Sequence, residues 1–247
     1  MGDRRENFRD NRQGRVDWRH NRGDQIRNHV RGRHTNFFTP GWRARHPHLA
    51  HGRWHWWGAH RPGHYWWRRA TWASLTGWFV WQGLNPIQYD YGGNVYYYQD
   101  TVYVDGQEAC SGAEYAQQAA VIAESVPEDV DEENVEWMPL GVFAVSNEEQ
   151  SDPIMFLQLV VSKEGIIAGT YYNSVTEDSQ VVEGMVDHTT QRAAWTVGDN
   201  KSTVMETGIY NLTEDETSVL VHFGGEQSQQ WLMVRLEDPE EGPQTGE

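Results

Sequence analysis

Six histidines between residues 46 and 64 are the strongest candidate for a metal site in this sequence. Imidazole nitrogen binds Zn, Cu and Ni, and a cluster of histidines raises the local density of such ligands. Two pairs have i, i+4 spacing, but intervening glycine and proline disfavour a continuous helical face, and the segment contains no cysteine or carboxylate. The candidate ligands are His46, His48, His51, His55, His60 and His64; the alternative is a polar, aromatic coat in which histidine stays neutral.

A second candidate site lies in the C-terminal half, where Arg192 and Arg235 interrupt acidic and apolar segments. Each is expected to pair with a carboxylate across a barrel, and the alternative is that they anchor a ligand at the barrel mouth. Trp195 and Trp231 stand at plausible wall positions, because the strings GTYYN, AAWTV and QQWLMV are similar in order to the strands of avidin-like barrels. These four residues form the candidate ligand-binding set.

No catalytic motif accompanies these residues. The chain has no G-x-S-x-G, H-E-x-x-H or Walker A pattern. Outside the basic N-terminal region only His188 and His222 offer an imidazole base, and Cys110 is a single thiol ahead of a predicted helix cap. The sequence therefore predicts a non-enzymatic protein, with no catalytic residue assigned and no cofactor.

The charges divide the chain into two unlike parts. Residues 1–69 hold 16 of the 18 arginines and only 5 acidic residues, whereas residues 70–247 hold 4 basic residues and 31 acidic ones. Arginine mixed with tryptophan suits phosphate partners and carboxylate partners alike. Because the larger part is strongly acidic and no nucleic-acid-binding motif is present, we expect an acidic protein surface or an anionic envelope polymer as the partner, with a homo-oligomer as one form and nucleic acid as a disfavoured alternative.

Composition predicts five segments. Residues 1–69 form a basic region, rich in arginine, histidine and tryptophan, that is largely disordered or helical. Residues 70–127 form a small β-meander followed by a helix, and residues 128–136 an acidic linker. Residues 137–238 form a β-barrel-like domain and residues 239–247 a flexible tail. No apolar stretch reaches the roughly 20 residues that a membrane-spanning helix needs, so no transmembrane segment is expected.

The segment ahead of the linker has clear local signals. Residues 87–107 alternate tyrosine and valine with polar residues around turn sequences, which predicts the meander. Ser111 and Glu114 have the S-x-x-E spacing of a capping box and predict the start of the helix, which Pro127 ends.

The C-terminal half has the period-two pattern of β-strands. Seven clusters of turn-forming residues separate eight strands between residues 136 and 236. No connection is long enough for a Greek-key crossover, so the expected fold is mainly β, with an eight-stranded antiparallel up-and-down barrel. Three sets of alternating residues are assigned to its inner face: Met155, Leu157, Leu159 and Val161 in one strand, Val219, Val221 and Phe223 in another, and Leu232, Val234 and Leu236 in the last.

Six sequence segments resemble those of a known protein family. They are YDYGGNVYYYQDTVYVDGQ, EYAQQA, WMPLGVFAV, GIIAGTYYN, TQRAAWTVGDNKSTVMETGIYNLT and QQWLMVRL, within roughly residues 65–236. They resemble an uncharacterised planctomycete family whose members are labelled cell-surface proteins of a mu-protocadherin type. The resemblance implies a place at the cell envelope and transfers no catalytic residue.

The leading hypothesis is a non-enzymatic cell-envelope or cell-surface interaction and assembly protein, whose basic aromatic region docks on acidic protein or polymer surfaces. The alternatives are a small-molecule-binding β-barrel of lipocalin- or avidin-like architecture and a nucleic-acid-binding protein. We expect the envelope or the extracellular space if the resemblance holds and a signal peptide precedes this sequence, and the cytoplasm otherwise.

Overall fold

The computed structural model describes residues 2–33, 37–51, 53–54, 63–81, 84–147, 152–225 and 227–239. Its helices are α1 (Gly2–Arg33), α2 (Pro40–Ala44), α3 (Trp72–Trp78) and α4 (Gly112–Glu124), with short 3-10 helices at Pro47–His51, Gly63–Trp67 and Asn211–Thr213. A three-stranded sheet contains β1 (Val95–Tyr98), β2 (Thr101–Val104) and β3 (Gln107–Ser111). The remaining strands are β4 (Trp137–Asn147), β5 (Met155–Ser162), β6 (Ile166–Asn173), β7 (Ser179–Val186), β8 (Arg192–Val197), β9 (Asn200–Gly208), β10 (Glu216–Phe223) and β11 (Gln227–Leu236).

Strands β4 to β11 form a closed barrel in which each strand pairs antiparallel with the next. The last strand closes the barrel on the first, with a register that runs from Trp231 opposite Asn147 to Leu236 opposite Val142. The fold class predicted from the alternating pattern is therefore confirmed, including the up-and-down order. The sheet and helix before the barrel are also as predicted, and Ser111 and Glu114 make both hydrogen bonds of the capping box.

Apolar side chains from all eight strands fill the interior of the barrel. They are Leu140, Phe143, Val145, Leu157, Leu159, Val161, Ile167, Val182, Val186, Ala193, Trp195, Met205, Val219, Val221 and Met233. The inner face predicted for β5 is confirmed, and so is the one predicted for β10 at Val219 and Val221, whereas Phe223 at the end of that strand is exposed. The one predicted for β11 is wrong, because Leu232, Val234 and Leu236 pack outside the barrel and Met233 faces inward.

The segment around α3 covers one end of the barrel. Thr71 and Ser74 make the two reciprocal hydrogen bonds of a capping box at the start of this helix. Leu75, Phe79 and Trp81 then pack into the same apolar cluster as the strand residues of the interior. Trp81 Nε1 donates a hydrogen bond to His188 Nδ1 (3.2 Å) in the connection between β7 and β8, so α3 lies at the end of the barrel where that connection lies. We call it the plugged end.

The basic N-terminal region lies against the outside of the acidic barrel. Ile26 and Val30, one turn apart on α1, pack in one cluster with the outward-facing residues of β4 and β11. Along the same helix Arg19 pairs with Asp90 at 2.5 Å, and other arginines pair with Glu216 and Glu237. The basic region was predicted to be largely disordered or helical, and its first half is a helix. The helix is stabilised here because the barrel supplies an apolar and acidic surface, which an isolated polar helix lacks.

The three-stranded sheet and α4 cover another part of the barrel wall. Tyr91 and Tyr115 pack with Leu220 of β10, and Ala119 and Ala123 of α4 pack with outward residues of β8 and β9. Small alanines let α4 approach the strands closely. Within the described part of the chain, no helix is both long and apolar enough to cross a bilayer.

Candidate functional site

A cavity of about 630 Å³ lies at the plugged end of the barrel. It sits between α1, the segment that leads into α3 and the end of β11. Among the described residues that line it, four arginines and one histidine face three acidic side chains: Arg27, His64, Trp67, Arg68, Arg69, Asp215, Arg235, Leu236, Glu237 and Asp238. We call this cavity the arginine pocket.

Arg235 forms the floor of the arginine pocket. It follows inward-facing Met233 by two residues on β11, so its side chain also points toward the barrel axis. Its guanidinium lies over the ring of Phe143 at 4.7 Å and donates hydrogen bonds to the carbonyl oxygens of Leu140 (2.8 Å) and Leu212 (2.6 Å). The close approach requires Gly141, since a Cβ there would lie 2.1 Å from Arg235 Nη1 and the glycine φ is +126°.

Arg235 carries its positive charge in a mostly buried position. Burial, together with the nearby guanidinium of Arg69, lowers the pKa of Arg235 to about 10. Its closest carboxylate oxygen is Asp215 Oδ1 at 3.8 Å, and Asp215 also pairs with Arg69 at 3.1 Å. One exposed carboxylate is therefore shared between two guanidinium cations.

Arg68 presents a further cation to the pocket. It directly follows the 3-10 helix Gly63–Trp67 and lies over the ring of Tyr65 at 5.2 Å. No carboxylate of the described residues pairs with Arg68, and the neighbouring His64 is exposed. Arg68 therefore keeps its guanidinium donors available to an entering molecule.

The remaining wall comes from α1 and the chain after β11. Arg27 pairs with Asp24 and with Glu216, and these hydrogen bonds outweigh the effect of burial, so the pKa of Arg27 is raised. Glu237 pairs with Arg31 at 2.8 Å. These pairs hold the helix against the barrel. The other three cations that line the pocket are Arg68, which has no carboxylate partner among the described residues, and Arg69 and Arg235, which share Asp215. Such a set of forked donors matches a carboxylate or a phosphate group.

The other three residues of the predicted ligand set lie elsewhere. Trp195 is fully buried in the packed interior, and Trp231 is half-buried at the opposite end of the barrel, with its Nε1 bonded to Gln229. Arg192 faces outward from β8 beneath α4, so the four predicted residues do not converge on one site. The guanidinium carbon of Arg192 lies 4.0 Å from the centre of the Tyr115 ring.

Arg192 belongs to a buried polar cluster on the outer wall. Its Nε donates to Glu206 Oε2 at 2.8 Å, and the other oxygen of Glu206 lies 3.0 Å from His222 Nε2. His222 Nδ1 lies 2.6 Å from Ser228 Oγ. We call these four residues the outer-wall cluster. Burial lowers the pKa of Arg192 but the Glu206 carboxylate outweighs it, so the net shift is upward.

The histidines predicted as metal ligands do not meet at one point in the described part of the chain, although the rings of His46 and His48 lie 6.0 Å apart. His46 stacks on Trp42, and His48 Nε2 lies 2.9 Å from the carbonyl oxygen of Ser179. His64 lines the arginine pocket. His51 ends the 3-10 helix Pro47–His51, and His55 and His60 lie outside the described residues. Among the described residues, no three histidine, cysteine or acidic side chains form a metal-binding group.

Sequence reasoning named Arg235 and His64 but missed the residues that complete the arginine pocket. Arg27, Arg68 and Arg69 lie in the basic region, far from Arg235 in sequence. Their only signal was the charge contrast between the two parts of the chain. Comparison with protein-family models, with curated proteins and with solved structures gave no significant match.

Proposed function

We propose that this protein binds a small anionic molecule, carrying carboxylate or phosphate groups, in the arginine pocket. The observation that carries the proposal is the convergence of Arg68, Arg69 and Arg235 on one cavity of about 630 Å³. This volume falls in the range of known small-molecule sites. The proposal is a version of the alternative function given above, a small-molecule-binding barrel. It places the ligand at one end of the barrel.

The charge balance supports an anion as the ligand. Asp215 is the acidic partner of both Arg69 and Arg235, so two guanidinium groups share one carboxylate. Burial lowers the pKa of Arg235, and the neighbouring Arg69 cation lowers it further by disfavouring its charged form. An anion that enters beside Arg68 would offset this repulsion.

The packing of the barrel favours the end over the interior as the place of binding. Large side chains such as Phe143, Leu157 and Trp195 are fully buried there. A ligand in the interior would have to displace close-packed apolar groups, which is costly. The arginine pocket needs no such rearrangement.

Titration calorimetry with inorganic phosphate and with citrate tests this proposal. We expect saturable binding that Arg68→Ala weakens by about tenfold or more, since one charge-assisted hydrogen bond contributes about 1.5–3 kcal/mol. Arg45→Ala is the matched control, because Arg45 is exposed after α2 and does not line the pocket. Equal affinities for Arg68→Ala and Arg45→Ala, or no heat of binding for either anion, would contradict the proposal.

A second candidate function is assembly at the cell envelope through the basic region. The observation that favours it is the set of ion pairs between this region and the acidic barrel, of which Arg31–Glu237 is mostly exposed. The same complementarity can act between copies of the chain or on an acidic partner or envelope polymer. The cell-surface role and membership of the planctomycete family belong to this proposal.

Sedimentation velocity at low and high salt separates the two functions. Assembly through the basic region predicts a larger species at low salt that dissociates as salt screens the charges. A single species with the monomer mass at every salt concentration would leave anion binding as the function and remove assembly between copies.

A further inference from the structure

We propose that Ser228, His222 and Glu206 form an acyl-transfer site that hydrolyses small uncharged esters. This site lies on the outer wall of the barrel and shares no residue with the arginine pocket. It consists of a hydroxyl, an imidazole and a carboxylate joined in series by hydrogen bonds of 2.6 and 3.0 Å. A hydroxyl, imidazole and carboxylate in this order are the elements of nucleophilic catalysis by serine.

The strand register brings the three residues together. Ser228 on β11 is the direct cross-strand partner of His222 on β10. Glu206 lies on β9, where it is opposite Leu220, two residues before His222. All three side chains therefore share the outer face, because residues two apart on a strand point the same way.

The cluster is held in one arrangement by Arg192. Its Nε and Nη2 both donate to Oε2 of Glu206, which leaves Oε1 directed at His222 Nε2. Arg192 in turn donates from Nη1 to Gln118 (2.8 Å) on α4. Arg192 and Glu206 are positioning residues, whereas Ser228 and His222 would contact the reacting atoms.

The reaction begins when Ser228 Oγ attacks the ester carbonyl carbon. The hydroxyl proton passes to Nδ1 of His222, and Glu206 stabilises the resulting imidazolium. The tetrahedral intermediate collapses as the bond to the alcohol oxygen breaks, and the alcohol takes the proton from His222. Water, activated by the same imidazole, then attacks the acyl-serine, which releases the carboxylic acid and restores the Ser228 hydroxyl.

Two tyrosines define the kind of substrate. The phenol of Tyr97 interacts with the side chain of Ser228, which places an O–H donor near the position of the oxyanion. The rings of Tyr97 and Tyr115 lie 6.4 Å apart and edge-on. Tyr97 is 37% exposed and Ser228 is half-buried, so both can be reached from solvent. Aromatic walls and a buried carboxylate favour a small, uncharged ester.

Labelling with a fluorophosphonate probe tests the site. Attack by Ser228 Oγ forms an O–P bond and expels fluoride, and the adduct is located by peptide mass spectrometry. We expect one adduct, on Ser228, that Ser228→Ala abolishes and Ser202→Ala retains; Ser202 lies near the start of β9, and its hydroxyl bonds only to Asn200 among the described residues. Hydrolysis of p-nitrophenyl acetate should likewise be lost in Ser228→Ala and retained in Ser202→Ala. No adduct on Ser228 under conditions that label a control serine hydrolase would overturn the proposal.

His222→Gln distinguishes a reactive serine from one that is only accessible. We expect the labelling rate constant to fall by about 100-fold or more, the usual contribution of a general base. Circular dichroism establishes that this variant is folded, and a labelling rate equal to that of the wild type in a folded variant contradicts the mechanism. If His222→Gln does not fold, the labelling of Ser228→Ala decides the proposal. Ser228 is half-buried and its replacement by alanine removes little packing, so this variant should fold.

Discussion

Arg69 Nη1 lies 3.1 Å from Oδ1 of Asp215, across the mouth of the arginine pocket. Arg69 belongs to the segment that leads into α3, and Asp215 directly precedes β10. The pair therefore ties the plug to the barrel. It also places a carboxylate where it competes with any anion that enters the pocket.

Asp215→Asn should raise the affinity of the pocket for inorganic phosphate. Removing a negative charge a few ångströms from the bound anion is worth on the order of 1 kcal/mol in a partly solvated site, or about fivefold in affinity. Calorimetric titration measures the change. Asp199→Asn, in the exposed turn between β8 and β9, is the matched control and should leave the affinity unchanged. Weaker binding to Asp215→Asn would mean that the carboxylate is needed to shape the site.

Gly14 and Gly23 of α1 should respond in opposite ways to alanine. A Cβ at Gly14 meets nothing within 4 Å, whereas one at Gly23 would lie 2.5 Å from Glu216 Oε1. Gly14→Ala should stabilise the protein by about 0.5–1 kcal/mol through helix propensity. Gly23→Ala should lose that gain, because the side chain of Glu216 and its pairing with Arg27 must shift.

Urea unfolding of both variants tests this docking of α1. The midpoint should rise for Gly14→Ala only. If Gly23→Ala were equally stabilised, α1 would not pack on the barrel at this position.

The charge contrast predicted docking on an acidic protein surface, but the residues that pack α1 on the barrel could not be identified from the sequence, for a physical reason. Ile26 and Val30 are the only regularly spaced apolar residues in the second half of α1, which is too few to predict a stable helix from the sequence. Their partners are Val142, Leu232 and Val234 on strands more than 100 residues away. Stability of such a helix comes from tertiary packing, which local patterns do not contain.

The error at β11 has the same origin. Alternation identifies an inner face only where polar residues mark the other face, and the outer face of this strand carries apolar residues that pack against α1 and the aromatic segment. Leu232, Met233 and Val234 therefore form a continuous apolar run with no usable period. In β5 the outer face is also buried, but the polar residue Gln158 marks it, and the alternating set was assigned correctly.

The candidate site was predictable only in part. Arg235 stands out as a charge in an apolar strand, for which the sequence left open a carboxylate pair across the barrel or a place at the barrel mouth; it lies at the plugged end. Arg68 and Arg69 are two of sixteen arginines in the basic region, and nothing local distinguishes them. Their position depends on how α3 plugs the barrel.

Stability should fall as the pH rises through the range in which tyrosine ionises. Burial raises the pKa of Tyr89 to about 12 in the folded protein, from the ordinary phenol value of 10.0 that applies to the unfolded chain. The unfolded chain therefore loses this proton first, so the contribution is fully present below pH 10 and is lost as the pH rises toward 12. The difference amounts to about 2–3 kcal/mol for a fully buried phenol.

Urea unfolding at about pH 9 and about pH 11.5 checks this prediction. Tyr89→Phe should show a smaller loss between the two values than the wild type, although it also loses the hydrogen bond to the Thr190 carbonyl (2.6 Å) at both. Tyr98→Phe is the control, since Tyr98 is 63% exposed. Equal losses for the two variants would show that Tyr89 does not carry the effect.

The most direct test of anion binding is a crystal structure of the protein with tungstate, a tetrahedral dianion with strong anomalous scattering. We predict an anomalous peak in the arginine pocket, within hydrogen-bond distance of Arg68 and Arg69 and beside Arg235, and the loss of that peak in Arg68→Ala. An empty pocket at a tungstate concentration that occupies other surface sites would contradict the account.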